Sequence, residues 1–480
     1  MDGSDAKPHG VSGGSDQTFF HKYKITEDLK KGSHDADVFR CARLVDGAKF
    51  IVKRIKRAHT KKEGYSWQIM REISLLLKGR GNPYIVQLED YFICGDGVVY
   101  IVLEEALGDL LTLNCKLSTE DRLECILSVS RGLMFMRSFG IIHRDIKEQN
   151  VLVFRGGAEG RGHSGDVNLG RKLDGPVSTY HFKICDFNLC GYDGDYNSNV
   201  QTVWWRSPEV FELERKEMST ETVERIDELG AEPHAKSGAE PHAKSGAEPY
   251  DYKIDVWSLG IIAMNIVTGV MNFDGMSERQ MGRGECEALR EINKRLRDVM
   301  TPASLAKIPP DDLKFLQLLI DGMLAYGSRD RFTLEDIEKK YREREWSGGE
   351  MHTMRIYSRP EIEVEEDAEL LRVVNDAVGW NIFSGYLKKC KGSSVVFERR
   401  KKTLVRVFSA VMDDISSLNL AEGKVDDKDK LPISECCYVV VLKMMSDYTD
   451  IISMKDGVKE RLKMFDKVEA LILKKYLWLF

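Results

Sequence analysis

At 480 residues the chain has room for two or three domains of about 150 residues each. With 42% hydrophobic and 31% charged residues it has the composition of an ordinary globular protein and not of a disordered one. A net charge of -6 gives no electrostatic case for a nucleic-acid partner. The longest apolar run, Ile261 to Met271, is broken by Asn265, Thr268 and Gly269 and is too short to span a bilayer, so no membrane partner is expected. Ten cysteines without paired metal or disulfide spacing, and no charged-then-apolar start, read as an intracellular protein of cytoplasm or nucleus.

Residues 1–20 are mostly polar and read as a disordered tail. From Tyr23 to about Cys94 the chain alternates strand-like pieces with one helix. Val38 to Arg43 and Lys49 to Ile55 read as strands around the turn signal Asp46-Gly47. Trp67, Ile69, Met70, Ile73, Leu76 and Leu77 line one helical face that stops at Gly79. Val98 to Leu103 is another strand. Ser118 followed by Asp121 marks a helix start, and that helix runs through Leu123, Ile126, Leu127, Leu133 and Met134 to Gly140. Inserts are expected at about 155–178 and 212–250, the second carrying Gly-Ala-Glu-Pro-His-Ala-Lys-Ser from Gly230 and again from Gly238. His234 and His242 recur with that repeat, but no third ligand is fixed near them. Ile261, Ile262, Met264 and Ile266 belong to a helix apolar nearly all round, as a buried helix is.

The stretch that organises the chain is Ile141-Ile142-His143-Arg144-Asp145-Ile146-Lys147-Glu148-Gln149-Asn150, followed by Ile184-Cys185-Asp186-Phe187-Asn188. Upstream stand Phe50-Ile51-Val52-Lys53 and Met70-Arg71-Glu72-Ile73-Ser74-Leu75-Leu76; downstream, Gln201-Thr202-Val203-Trp204-Trp205-Arg206-Ser207-Pro208-Glu209. Together these resemble the serine/threonine protein kinases, and within them the cyclin-dependent kinases. The resemblance implies an α+β bilobal protein-kinase fold over residues 21–345, with a small β-rich lobe and a large helical lobe. It implies phosphoryl transfer from ATP to protein hydroxyls, with magnesium. Asp145 is then the residue that orients and deprotonates the substrate hydroxyl, and Lys147 contacts the transferred phosphate and marks serine/threonine chemistry. Lys53 pairs the ATP phosphates and is held by Glu72, while Asn150 and Asp186 hold the metal. Leu103 lies behind the adenine pocket, with the backbone from Glu104 to Ala106 pairing the base. Thr202 bonds Asp145, Glu209 pairs with Arg331, Asp255 caps the catalytic loop, and His143 holds that loop without carrying a proton.

Three departures stand out. The glycine-rich pattern falls on Gly32 to Phe39 and keeps only Gly32, with Asp35 and Asp37 adding negative charge near the phosphates. The alternative is that this loop opens outward to solvent. Asn188 replaces the glycine after Asp186-Phe187 and tolerates the left-handed backbone such a turn needs. Glu148 stands where the resembling kinases have proline. In the short activation segment Asn197 takes the usual phosphothreonine position; Asp193 and Asp195 either stand in for phosphate opposite Arg71 and Arg144 or belong to a solvated loop.

After a linker at 346–366, residues 367–480 read as a small all-α domain, with helices at Leu370 to Trp380, Phe397 to Ile415, Ile433 to Met445 and Lys459 to Leu477. Val411 to Ser417 and Lys467 to Lys474 resemble parts of a single cyclin box, with Glu469 toward the kinase, although Asp414 replaces arginine and the partner lysine is not matched. This implies a cyclin-like activator in cis, with a separate cyclin or a plain docking bundle as alternatives. Glu398 to Lys402 is either an import signal or a solvated helix face. The rival to an active enzyme is a weakly active kinase-fold scaffold, supported by the eroded glycine loop.

Overall fold

The computed structural model describes residues 17–30, 36–56, 59–60, 64–94, 97–113, 117–156, 178–192, 200–214, 250–269, 308–345 and 440. The chain opens with helix α1 (Gln17–Lys22), then strands β1 (Tyr23–Lys30), β2 (Ala36–Arg43) and β3 (Lys49–Ile55). A two-residue-strand hairpin follows, β4 (His59–Thr60) and β5 (Gly64–Tyr65), and leads to helix α2 (Trp67–Lys78). Strands β6 (Leu88–Ile93) and β7 (Val99–Glu104) complete a five-stranded sheet in the order β1-β2-β3-β7-β6. The β2–β3 turn forms because Gly47 takes φ 72° and the Asp46 carboxylate accepts the Ala48 N–H at 3.0 Å.

β8 (Gly108–Asp109) and α3 (Leu110–Leu113) carry the chain into the second lobe. Helix α4 (Thr119–Ser138) begins with the expected capping box: Ser118 Oγ accepts the Asp121 N–H, and the Asp121 carboxylate accepts the Ser118 N–H. It delivers the chain to β9 (Ile141–Ile142), and β10 (Val151–Arg155) pairs with β11 (Tyr180–Ile184). The insert expected at about 155–178 therefore joins two paired strands. β12 (Gly191–Tyr192) pairs back on β9. Helix α5 (Lys253–Thr268) is buried from Ile254 to Thr268 and stops at Gly269, φ 72°. Helices α6 (Pro310–Met323) and α7 (Leu334–Glu345) close the lobe. One apolar cluster runs from α2 through α4 and β10–β11 to α5 and α6, and a smaller one lies on the other face of the five-stranded sheet.

Two expectations change. The tail does not reach residue 20: Phe19 is fully buried, stacked on Tyr100 at 4.4 Å between ring centroids and on Tyr23 at 5.5 Å. An aromatic plug on the sheet's outer face orders the segment. Second, strand register corrects the reading of the glycine-loop pattern. Val38 lies opposite Lys53, so it shares the Lys53 face, whereas Asp37 and Phe39 point to the other side. Asp37 is buried there and bonded to Arg54 at 2.6 Å and Lys56 at 2.9 Å. Its charge is answered by two cations away from Lys53, and their hydrogen bonds hold its carboxyl below the usual range. Gly32 and Asp35 lie outside the described residues, as do Asp193, Asp195, Asn197 and nearly all of both inserts and the helices expected over 367–480. From that last region Val440 is described: it is helical, fully buried and part of the main cluster.

Candidate active site

The site is assembled on the edge of each lobe. β3 presents Lys53, whose Nζ donates to both Glu72 oxygens at 2.8 and 2.9 Å and to Asp186 Oδ1 at 3.0 Å. Although burial disfavours its charge, the two carboxylates push the Lys53 pKa above its ordinary value. Burial likewise pulls Glu72 up while Lys53 pulls it down; the two-oxygen contact favours the ion pair. Burial also opposes ionisation of Asp186, yet Lys53 holds its carboxyl below the usual range.

The loop from His143 to Asn150 is suspended from α5. Asp255 accepts the His143 N–H at 2.7 Å and the Arg144 N–H at 2.9 Å. Burial raises the Asp255 carboxyl to about 7 against these two donors. His143 is fully buried, and burial lowers its pKa, so it is the neutral ring. Its Nδ1 accepts the Asp145 N–H at 3.2 Å, leaving Nε2–H to donate to the Cys185 carbonyl, also at 3.2 Å. The histidine thus fastens the loop to the strand preceding Asp186.

Asp145 is the hub. Its Oδ1 accepts Thr202 Oγ1–H at 2.6 Å; its Oδ2 accepts Lys147 Nζ at 2.6 Å and Asn150 Nδ2 at 3.0 Å. Lys147 also donates to Thr202 Oγ1 at 2.9 Å. Asn150 Nδ2 further donates to the Asp145 carbonyl at 2.8 Å, and the Asn150 carbonyl accepts the Cys185 N–H at 3.0 Å. With its amide nitrogen spent on Asp145, Asn150 keeps its side-chain oxygen for another partner. Together with Asp186 that is an all-oxygen donor set, which suits a magnesium ion completed by phosphate and water.

The left-handed residue of the Asp186–Asn188 turn is Asp186 itself, φ 64°, and not Asn188. Arg144 at 67° and Gln201 at 61° share this conformation, so among the described residues all three non-glycine cases lie in the site. The strain is held by neighbours: Gln201 N–H donates to the Arg144 carbonyl at 2.8 Å, and the Gln201 side chain bonds Ser258, the Ile254 carbonyl and the Ser207 N–H. Phe187 is fully buried against His143, ring edge to face at 5.5 Å. Arg144 lies so close over Gly191 that a Cβ there would come within 2.1 Å of its Cζ, so a larger residue would push the guanidinium aside.

Leu103 sits on β7 between Ile51 and Leu88. The Glu104 N–H is already taken by the Gln87 carbonyl at 3.1 Å, and its side chain accepts Lys183 Nζ at 2.7 and 2.9 Å. Ala106 lies between this brace and Leu107, whose N–H donates to the Val153 carbonyl at 2.9 Å. Sequence reasoning missed Lys183 and Arg40, which bonds Glu105 at 2.5 Å. Lys183 had a readable signal, a lone cation in the apolar strand ahead of Asp186. Farther out, Arg331, completely buried, donates to both Glu209 oxygens at 2.6 and 3.0 Å.

A sheet lobe with a lysine–glutamate pair, joined to a helical lobe whose loop aims an aspartate, a lysine and an asparagine at one point, is the architecture of a protein kinase. Residues 23–224 match the protein kinase domain family. It is 24% identical over 335 residues to cyclin-dependent kinase 20 of Danio rerio, covering 65% of this chain and 80% of that protein. It is also 24% identical over 311 residues to a probable CTD kinase subunit alpha homolog of Encephalitozoon cuniculi (strain GB-M1), covering 61% and 77%. A MAP kinase-interacting serine/threonine-protein kinase 1 of Xenopus laevis is 24% identical over 327 residues, 66% of this chain and 67% of its own.

Proposed function

We propose that the protein is a serine/threonine kinase of cyclin-dependent type that transfers the γ-phosphate of ATP to protein hydroxyls. The observation that carries this is the closed triangle of Asp145, Lys147 and Thr202. In it the Asp145 carboxyl is fixed in direction and placed to accept the hydroxyl proton as the hydroxyl oxygen attacks phosphorus. Lys147 lies beside it to offset the charge on the moving phosphoryl group, and Lys53 is aligned by Glu72 for the phosphates left behind. Asn150 and Asp186 would hold the magnesium ion, which supplies charge neutralisation to the phosphates. Lys147 and the named relatives support serine/threonine choice. A peptide-library assay with radiolabelled ATP tests it: phosphoserine and phosphothreonine are expected, and label that persists in Asp145→Asn would refute the assignment.

A second observation favours activation in cis. Eight successive residues of α2, Ile69 to Leu76, are buried, so the helix has no exposed face, and Met70, nearly opposite Glu72, is 1% exposed. A helix at the surface of a domain normally keeps a polar, exposed side. Val440 is buried in the apolar cluster that also takes in α2, and a C-terminal segment as the cover would hold Glu72 on Lys53 at high effective concentration. Val440→Asp in the full chain is expected to lower kinase activity at least tenfold and to expose α2 to hydrogen exchange; unchanged exchange in α2 would sink this reading. The outward-facing position of Asp37 removes part of the case for a scaffold without activity.

A further inference from the structure

The chain passes from the sheet lobe to the helical lobe through Glu104 to Leu107, between β7 and β8, and the first two of these residues are adjacent carboxylates. Each is answered by a cation from a different direction. Arg40 on β2 lies opposite Ile51, and Ile51 lies opposite Leu103, so the three form a row across the face of the sheet that carries Lys53. From that row Arg40 Nε donates to Glu105 Oε1 at 2.5 Å, while its Nη1 donates to Glu27 on β1. Lys183, on β11 of the helical lobe, donates to both Glu104 oxygens at 2.7 and 2.9 Å. The same carboxylate accepts the Gln87 N–H at 2.7 Å, and Lys183 Nζ stands 4.6 Å from the centre of the Phe154 ring.

Placement gives these pairs their meaning. Arg40 extends from the strand that also carries Val38 opposite Lys53, so its bond ties the roof of the cleft to the connection between the lobes. Lys183 stands three residues before Asp186, on a strand fastened to the segment after α2: the Ile184 N–H donates to the Tyr84 carbonyl at 2.9 Å, and the Val86 N–H donates to the Ile184 carbonyl at 3.0 Å. An exposed ion pair contributes little, because solvent screens it and two long side chains must be ordered. Arg40 is 33% exposed but held from two sides, and Lys183 is 13% exposed, so the Lys183 pair is the stronger of the two.

We propose that Arg40 and Lys183 are positioning residues for the nucleotide: gripping consecutive carboxylates from the roof and from the strand ahead of Asp186, they fix the connection between the lobes so that the pocket for the base is formed before ATP arrives. The proposal rests on the kinase reading above, in which the base lies at Leu103 and the backbone from Glu104 to Ala106. A preformed pocket adds affinity because binding no longer has to order it. The glycine pattern keeps only Gly32, which limits how closely backbone can wrap the phosphates, and a clamp on the connection acts without that loop.

The test compares Arg40→Ala, Glu105→Ala and the pair together in the full-length chain, with Lys183→Met and Lys183→Arg beside them. KM for ATP, kcat on a peptide and the Kd of a fluorescent ATP analogue with magnesium are measured for each. Arg40→Ala is expected to raise KM and Kd about three- to fivefold and Lys183→Met about tenfold, with kcat within about twofold. The Arg40–Glu105 double variant should lose no more than the worse single one, and Lys183→Arg, which keeps the charge, should recover most of the loss. An unchanged KM and Kd in both Arg40→Ala and Lys183→Met, additive losses in the cycle, or a loss confined to kcat would overturn the proposal. If the wild-type chain neither binds the analogue nor turns over, the kinase reading falls. Hydrogen exchange at the Glu104 and Leu107 amides, measured without nucleotide, then decides the clamp by itself: faster exchange in Arg40→Ala and Lys183→Met supports it, and unchanged exchange sinks it.

Discussion

Thr202→Val is the sharpest perturbation of the candidate site, because it keeps the side chain's shape and deletes one hydroxyl. That hydroxyl donates to Asp145 at 2.6 Å and accepts from Lys147 at 2.9 Å, so two hydrogen bonds with charged partners disappear together. Bonds of this kind contribute about 1.5–3 kcal/mol each. Asp145 keeps Lys147 and Asn150, and Lys147 keeps Asp145, so the net loss falls at about 2–3 kcal/mol for the pair. At about 1.4 kcal/mol per factor of ten, kcat should fall roughly 30- to 140-fold. KM for ATP should hold, since Lys53, Glu72 and Asp186 are untouched, and Thr202→Ser should restore most of the rate. Steady-state phosphorylation at saturating ATP measures it. A valine variant within threefold of wild type would refute the idea that this hydroxyl aims the base.

Arg331→Met is expected to cost about 3–5 kcal/mol, because the fully buried guanidinium bonds Glu209 and the carbonyls of Ala325, Lys253 and Tyr326; a melting-temperature drop on the order of 10 °C would show it. Asp37→Asn should lower the melting temperature but leave KM for ATP unchanged, and a change in that KM would mean Asp37 acts at the phosphates after all. Asp255 has a folded-state pKa of about 7 against an ordinary 3.8, so its contribution to stability is fully present below the ordinary value and is lost as pH rises through the folded one. Between about pH 4 and 7 it therefore gives stability a downward slope of at most about 1.4 kcal/mol per pH unit, which Asp255→Asn should flatten in melts across that range.

The elements nearest the site were legible because their signals are local. Apolar spacing marked α2, and the Ser118–Asp121 pair marked the start of α4. The family resemblance also brought Lys53, Glu72, Asp145, Lys147, Asn150, Asp186 and Thr202 onto one list, and the fold bonds Lys53, Glu72 and Asp186 in one cluster and Asp145, Lys147, Asn150 and Thr202 in another. What misled was facing and backbone hand. Asp37 has two readings in the sequence, toward the phosphates or out to solvent, and strand alternation gives neither: it is buried on the sheet's outer side, bonded to Arg54 and Lys56. Asn188 was given the left-handed turn that Asp186 adopts. Phe19 was lost in a polar tail because its partner, Tyr100, is 81 positions away.

By itself the sequence determined the chemical inventory and the offsets between its members, since these follow from covalent order and local propensity. Tertiary structure alone decided which carboxylates are answered and which are stranded. It gave Asp37 two cations, Asp255 two backbone N–H groups, and Glu148 one side-chain amide. Burial and the direction of a neighbour's N–H set a carboxyl's charge and strength, and both come from residues brought together across the fold.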